Sequence, residues 1–238
     1  HDGDLPSRCG LGSSSSFTVG LLNSIYRMKG EKVTKNKLIN DAIYLEHKLL
    51  KEAGGIQDQI AVTKGNLNNI QITPDGTFKI NEIDISIQKK NMLESRLMMF
   101  YTGISRYSSS ISSSTIDQIY SHEDKYHSLF NMVGRANKIL NGDNNLDDFG
   151  ELLNEYWEIK KQLSPLISSP FIDNIYTAGM NAGALGGKIL GAGGGGFILF
   201  YVKEGKQDKV KKALNDLLHV NFKFETGGSE IIYDNINK

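Results

Sequence analysis

The run GGKILGAGGGGFILFYV, Gly186 to Val202, constrains the fold more than any other stretch. Ile189-Leu190 and Phe197 to Phe200 are buried-strand sequence, and the glycines Gly191 and Gly193 to Gly196 separate them. A linker would lack such apolar flanks. The run therefore predicts strand, tight glycine turn, strand, all inside a core. Turns of this kind form where backbone comes close to a ligand or to another loop. The 238 residues leave room for one large domain or two modest ones around such a core.

Helical periodicity appears elsewhere. Phe17, Leu21, Ile25 and Met28 recur at three or four positions, which predicts a helix burying that stripe, with Gly30 as its stop. A second helix is expected from Thr34, as N-cap, to Lys51, ended by Gly54-Gly55. Leu67 to Ile72 and Thr77 to Ile83 flank the turn TPDG and read as a β-hairpin. RLMMFYTG, Arg96 to Gly103, reads as a core strand. The serine-rich stretch from Ser108 is either a linker or the start of one long helix reaching Leu140. Helical spacing of Leu129, Met132, Val133, Ala136 and Leu140 favours the helix. Asp147 or Asp148 is expected to cap a helix ending before Ser164-Pro165, and Ser169-Pro170 to start another that runs to about Ala182. A helix over residues 206–218 and strands over 220–225 and 229–233 complete an α+β chain, with a division between residues 1–90 and 91–238.

Composition narrows the function. Lys+Arg and Asp+Glu both number 27, so a neutral chain lacks the electrostatic footprint for nucleic acid or an anionic membrane. No apolar run reaches membrane-spanning length. The single cysteine, Cys9, offers neither an internal disulfide nor a zinc set, which fits a reducing cytoplasm. The five histidines show no metal spacing, and Tyr156-Trp157 reads as packing. Self-association into a homo-oligomer is left open.

Three stretches could carry chemistry. In CGLGSSSSFTVG, two glycines bracket Leu11 and four serines precede a helix. The N–H groups of a helix start and its dipole attract an anion, glycines let backbone approach a phosphate, and hydroxyls can ligate a hard cation. Gly10 to Ser16 is thus a phosphate cradle or, more blandly, a serine-capped helix. The GK[ST] ending of a Walker loop is missing. Ile39, Ile43, Glu46 and Leu50 lie along one helical line, so Glu46 either interrupts a buried face, where it needs a cation or several donors, or reaches water at its edge. Asp58, in GGIQDQ, sits in a glycine-loosened turn. It could accept a proton from a substrate hydroxyl, or merely cap the turn.

Taken together, PSRCGLGSSS (Pro6 to Ser15) resembles the second motif of the GHMP small-molecule kinases, and KILGAGGGGFILF (Lys188 to Phe200) resembles their third. GIQDQIA, MMFYTGISR, SPFIDNIY and AGALGGKILGAGGGGFILF extend the likeness over nearly the whole chain, within that family toward the D-glycero-D-manno-heptose 7-phosphate kinases. The resemblance implies a two-lobed GHMP fold with a ferredoxin-like C-terminal lobe. It implies that Gly10, Leu11, Gly12, Ser13, Ser14, Ser15 and Ser16 wrap ATP phosphates, and that Gly191, Gly193, Gly194 and Gly195 lie beside them. Ser13 and Glu46 would ligate Mg²⁺, and Asp58 would act as base or orienter toward a sugar hydroxyl. Arg106, in GISR, would hold a sugar phosphate; its bland alternative is a surface salt bridge.

The implied partner is a small-molecule sugar phosphate, phosphorylated at its anomeric hydroxyl. A kinase for a free sugar such as L-fucose is the near rival, and a non-catalytic sugar or ATP sensor on the same scaffold the distant one. The family has several strands before its serine motif. The expectation here is an N-terminal lobe without them, truncated or completed by another chain, with an exposed sheet edge.

Overall fold

The computed structural model describes Gly3, residues 9–105 and residues 108–234. Pro6 to Arg8, at the head of the serine motif, and Arg106 lie outside the described residues. The chain divides into two compact units. One holds residues 12–82 with the returning segment 224–234; the other holds 83–223 together with the short stretch before Gly12. The division thus falls at Glu82/Ile83, and the last segment joins the first unit rather than the second.

In the first unit, α1 (Ser13–Met28), α2 (Lys35–Ile43) and α3 (Gln57–Lys64) pack on one another, and β1 (Asn68–Ile72) pairs antiparallel with β2 (Phe78–Glu82) across the TPDG turn. Thr34 caps α2 by accepting from Lys37 N at 3.2 Å. The face that α1 buries corrects the periodicity reading. Ser15, Thr18 and Val19 are buried, Val19 packing with Leu38 and Ala42, while Phe17, Leu21, Ile25 and Met28 are all more than a third exposed. Leu22 and Tyr26 continue the inward line, so α1 carries two apolar stripes at helical spacing, and the inner one includes hydroxyls. The returning segment is held by Asn66 N to Glu225 O (2.7 Å), by Lys35 Nζ to Gly227 O (2.6 Å) and by an Arg27–Asp234 ion pair. Strands expected over 220–225 and 229–233 do not form; only β6 (Leu218–Val220) does.

The second unit is built on a four-stranded antiparallel sheet in the order β4 (Ala184–Ile189), β5 (Phe197–Val202), β3 (Leu97–Tyr101), β6. Phe100, Phe197, Phe200, Ile189 and Ile198 are fully buried in it. α4 (Ile87–Arg96) leads into β3, and the expected single helix from Ser108 to Leu140 is two, α5 (Ser108–Asp117) and α6 (Glu123–Asn141), parted by a 3₁₀ turn, Ile119–His122. α7 (Asp147–Lys160) packs along β4, beside α8 (Pro170–Ala182). Asp147 and Asp148 sit in the first turn of α7 and do not cap it; Asn145 Oδ1 accepts from Asp147 N instead. Ser169 caps α8 with proline at the first helical position, as expected. α9 (Gln207–Ala213) is shorter than the expected 206–218. Trp157 is fully buried, with its ring 5.9 Å from that of Tyr176, so the Tyr156-Trp157 pair does pack.

Candidate active site

In the first unit three chain segments converge on Glu46. The helix expected to run from Thr34 to Lys51 changes to π geometry over Tyr44–Leu49. The wider turn rotates the residues beyond it, so Leu50 leaves the apolar line and is 58% exposed while Glu46 is 3% exposed. Glu46 Oε2 accepts from Ser15 Oγ at 2.9 Å and from Gln59 Nε2 at 2.5 Å. Two donors thus hold one carboxylate oxygen. The other, Oε1, is buried with no hydrogen-bond partner, as is Gln59 Oε1.

Asp58 occupies the first turn of α3, a helix where Gly54-Gly55 predict a loose turn. It approaches the start of α1 closely: a Cβ built at Gly12 would lie 3.3 Å from Asp58 Cγ. Gly12 adopts φ +69° there, and the first helical bond runs from Ser16 N to Gly12 O at 2.9 Å. No side chain caps this helix start, which is the geometry of an anion site. Burial, and then the charge of Glu46, hold the Asp58 carboxyl above its ordinary value. Ser15 and Gly12 are three positions apart and share a helix face; Ser13, two positions from Ser15, does not share it. Ser14 and Ser16 are exposed.

The oxygen set fits a magnesium ion. An ionised carboxylate oxygen in a buried place is costly without a cation or donors, and Mg²⁺ is usually bound through one or two carboxylates plus phosphate oxygens. Glu46 offers one buried carboxylate oxygen, Oε1, with no hydrogen-bond partner. Among the described residues no group of three or more His, Cys, Asp or Glu could hold a metal ion. Gln59 is a site residue that the sequence pattern does not single out. Its signal was there: an amide flanking Asp58, one turn before Thr63, on the buried side of a short helix.

In the second unit the glycine turn meets Cys9 and Gly10. A Cβ built on Gly10 would strike Leu190 O at 2.8 Å, and one built on Gly191 would strike Gly10 Cα at 2.9 Å. Gly196, at φ +81°, would meet Cys9 O at 2.1 Å. The turn is further bound by Gly194 N to Ile167 O (2.8 Å), Gly196 N to Ile104 O (2.7 Å) and Thr102 N to Gly196 O (2.9 Å). It is therefore a packed element, not a linker. The predicted site residues fall into two groups: Gly12 to Ser16, Glu46 and Asp58 in the first unit, and Gly10, Leu11, Gly191 and Gly193 to Gly195 in the second. Arg106 belongs to neither description, lying outside the described residues.

This fold and this helix start define a class, and the comparisons with known proteins agree with it. The GHMP kinases N-terminal domain model matches residues 1–66 and the GHMP kinases C-terminal model matches residues 137–220, together more than half of the chain. The chain belongs to the GHMP kinase family. It is 28% identical over 216 residues to the D-glycero-alpha-D-manno-heptose 7-phosphate kinase of Campylobacter jejuni, covering 89% of this chain and 62% of that protein. It is 23% identical over 213 residues to the bifunctional fucokinase/GDP-fucose pyrophosphorylase of Arabidopsis thaliana, covering 87% of this chain and 20% of that one. Among solved structures, a D-glycero-D-manno-heptose 1-phosphate kinase from Bacteroides thetaiotaomicron superposes with a TM-score of 0.75 at 23% identity, over 94% of this chain and 64% of that one. The chain thus spans less than two thirds of the length of these relatives.

Proposed function

We propose that this chain carries the phosphate, metal and acceptor machinery of an ATP-dependent kinase for D-glycero-D-manno-heptose 7-phosphate, giving the 1,7-bisphosphate. The observation that carries the reading is Glu46: a buried carboxylate fixed through one oxygen, with its second oxygen unpartnered, beside an uncapped glycine-serine helix start. Gly10 to Ser16 would cradle the triphosphate by backbone N–H groups and hydroxyls, with Gly191 and Gly193 to Gly195 lining the phosphates as the resemblance implies. Glu46 would hold Mg²⁺, which when bound neutralises charge on the transferring phosphoryl group; the hydroxyl that meets Glu46 is that of Ser15, whereas the resemblance implies Ser13.

Asp58 would accept the proton of the anomeric hydroxyl as that oxygen bonds to the γ-phosphorus and the bond to ADP breaks. Its raised proton affinity suits that role, because a stronger base removes a hydroxyl proton more readily. Holding hydroxyl and phosphate in line supplies much of the acceleration in such transfers. Arg106 remains our choice for the 7-phosphate, and the cytoplasm our choice of compartment. The similarity to a fucokinase favours a second reading, transfer to a free sugar such as L-fucose. Incubating the protein with ATP, Mg²⁺ and each sugar separately, and following anomeric phosphate by ³¹P NMR, decides between them. A 1,7-bisphosphate from the heptose supports the first reading; turnover of L-fucose alone retires it.

A further inference from the structure

Lys160 is a buried cation that the reaction above does not use. Its side chain is 8% exposed at the end of α7, and its Nζ donates to Gly191 O at 2.7 Å. It sits 5.8 Å from the centroid of the Tyr156 ring, and Lys188 Nζ lies 4.4 Å from the same centroid. One aromatic ring thus seats two ammonium groups. A ring face attracts a cation, the more so when water is excluded, so Tyr156 offsets part of the cost of burying Lys160. That cost shows: burial, opposed by Tyr156 and aided by the Lys188 charge, leaves Lys160 below the ordinary lysine value. Tyr156 falls below its own ordinary value because Lys188 and Lys160 outweigh its burial.

Gly191 is the turn residue whose backbone rests on Gly10. Backbone partners and Thr102 hold the far side of the turn, at Gly194 and Gly196. At Gly191 the carbonyl is held by a side chain from another helix. We propose that Lys160 is a positioning residue: seated by Tyr156, it fixes the Gly191 carbonyl and, through the Gly191–Gly10 contact, the first glycine of the serine loop. This rests on the kinase reading only for its consequence, that ATP phosphates bind a loop set in place from α7.

The link itself is tested without ligand, by hydrogen exchange of the full chain read at peptide level by mass spectrometry. Lys160→Met keeps the apolar stem and removes the donor; Lys160→Arg keeps a donor. The expected result for K160M is several-fold faster exchange over 190–196 and 9–11, with 197–202 unchanged, and K160R close to wild type. In ATP titrations K160M weakens nucleotide binding about tenfold, while affinity for the sugar phosphate stays within about twofold. Tyr156→Leu reads the same link with Lys160 intact and shows the same local loosening. Equal acceleration across all of β4 and β5, which a merely structural lysine would give, overturns the proposal. So does unchanged exchange over 9–11 in both K160M and Y156L. A protein that loosened as described but bound no ATP would leave the Lys160 link standing and reject the kinase reading.

Discussion

Replacing Gly196 by alanine tests whether the glycine turn is welded to the segment before the serine loop. Two terms oppose the substitution. At φ +81° an L side chain is strained by about 1–2 kcal/mol. A Cβ there would also lie 2.1 Å from Cys9 O and 2.8 Å from Cys9 C, both backbone atoms that cannot rotate away. Forcing such an overlap costs about 1–3 kcal/mol more. Gly205 isolates the first term: its φ is +76° and a Cβ built on it meets nothing within 4 Å. G205A should therefore cost about 1–2 kcal/mol and G196A about 2–5 kcal/mol. Trp157, the one tryptophan and fully buried in the same unit, reports urea unfolding by fluorescence. With a urea slope of about 2–3 kcal/mol/M, the midpoint should fall by about 0.7–2.5 M in G196A and by about 0.3–1 M in G205A. Equal shifts would show that the Gly196–Cys9 approach carries no weight, and the account of the turn as a packed element would fail.

Three further outcomes are expected. Ser15→Ala and Gln59→Leu should each destabilise by about 1–3 kcal/mol, since each strips a donor from buried Glu46; the double variant should depart from additivity in a denaturation cycle, and strict additivity would mean the two donors do not share the carboxylate. Asp58→Asn should raise the melting temperature at neutral pH. Because burial and Glu46 raise the folded-state affinity of Asp58 for its proton, the native state binds more protons than the unfolded state, so wild-type stability falls as pH rises through the window above 3.8. The advantage of D58N should vanish below that window, and an advantage that persisted at low pH would contradict the assignment. The same variant should bind ATP normally and transfer phosphate far more slowly. Ser169→Ala should cost about 1 kcal/mol by removing the cap on Ile172 N, read as a midpoint shift in urea.

What the sequence shows plainly are features whose local chemistry admits one solution. Ser169-Pro170 starts α8, TPDG turns the hairpin, and glycines between apolar strands make the β4–β5 turn. Features decided by tertiary partners were hidden. α1 has apolar residues on two sides, and burial went to the side bearing Ser15 and Thr18, where Glu46 offers Ser15 an acceptor. The helix Ile87–Arg96 buries only Leu93, too little to leave a periodic stripe. Glu46 was visible as an oddity on an apolar line, but the π turn that buries it and turns Leu50 outward was not, because one extra residue per turn has no signature in composition. Gln59 went unnoticed for a related reason: an amide advertises nothing until its carboxylate partner is in place.

Glu46 as the carboxylate that holds magnesium is the claim on which the functional reading turns. Calorimetric binding of a non-hydrolysable ATP analogue, with and without Mg²⁺, should show tighter binding with the ion in the wild type and little or no gain in Glu46→Gln. The same magnesium-dependent gain in both proteins would contradict the account.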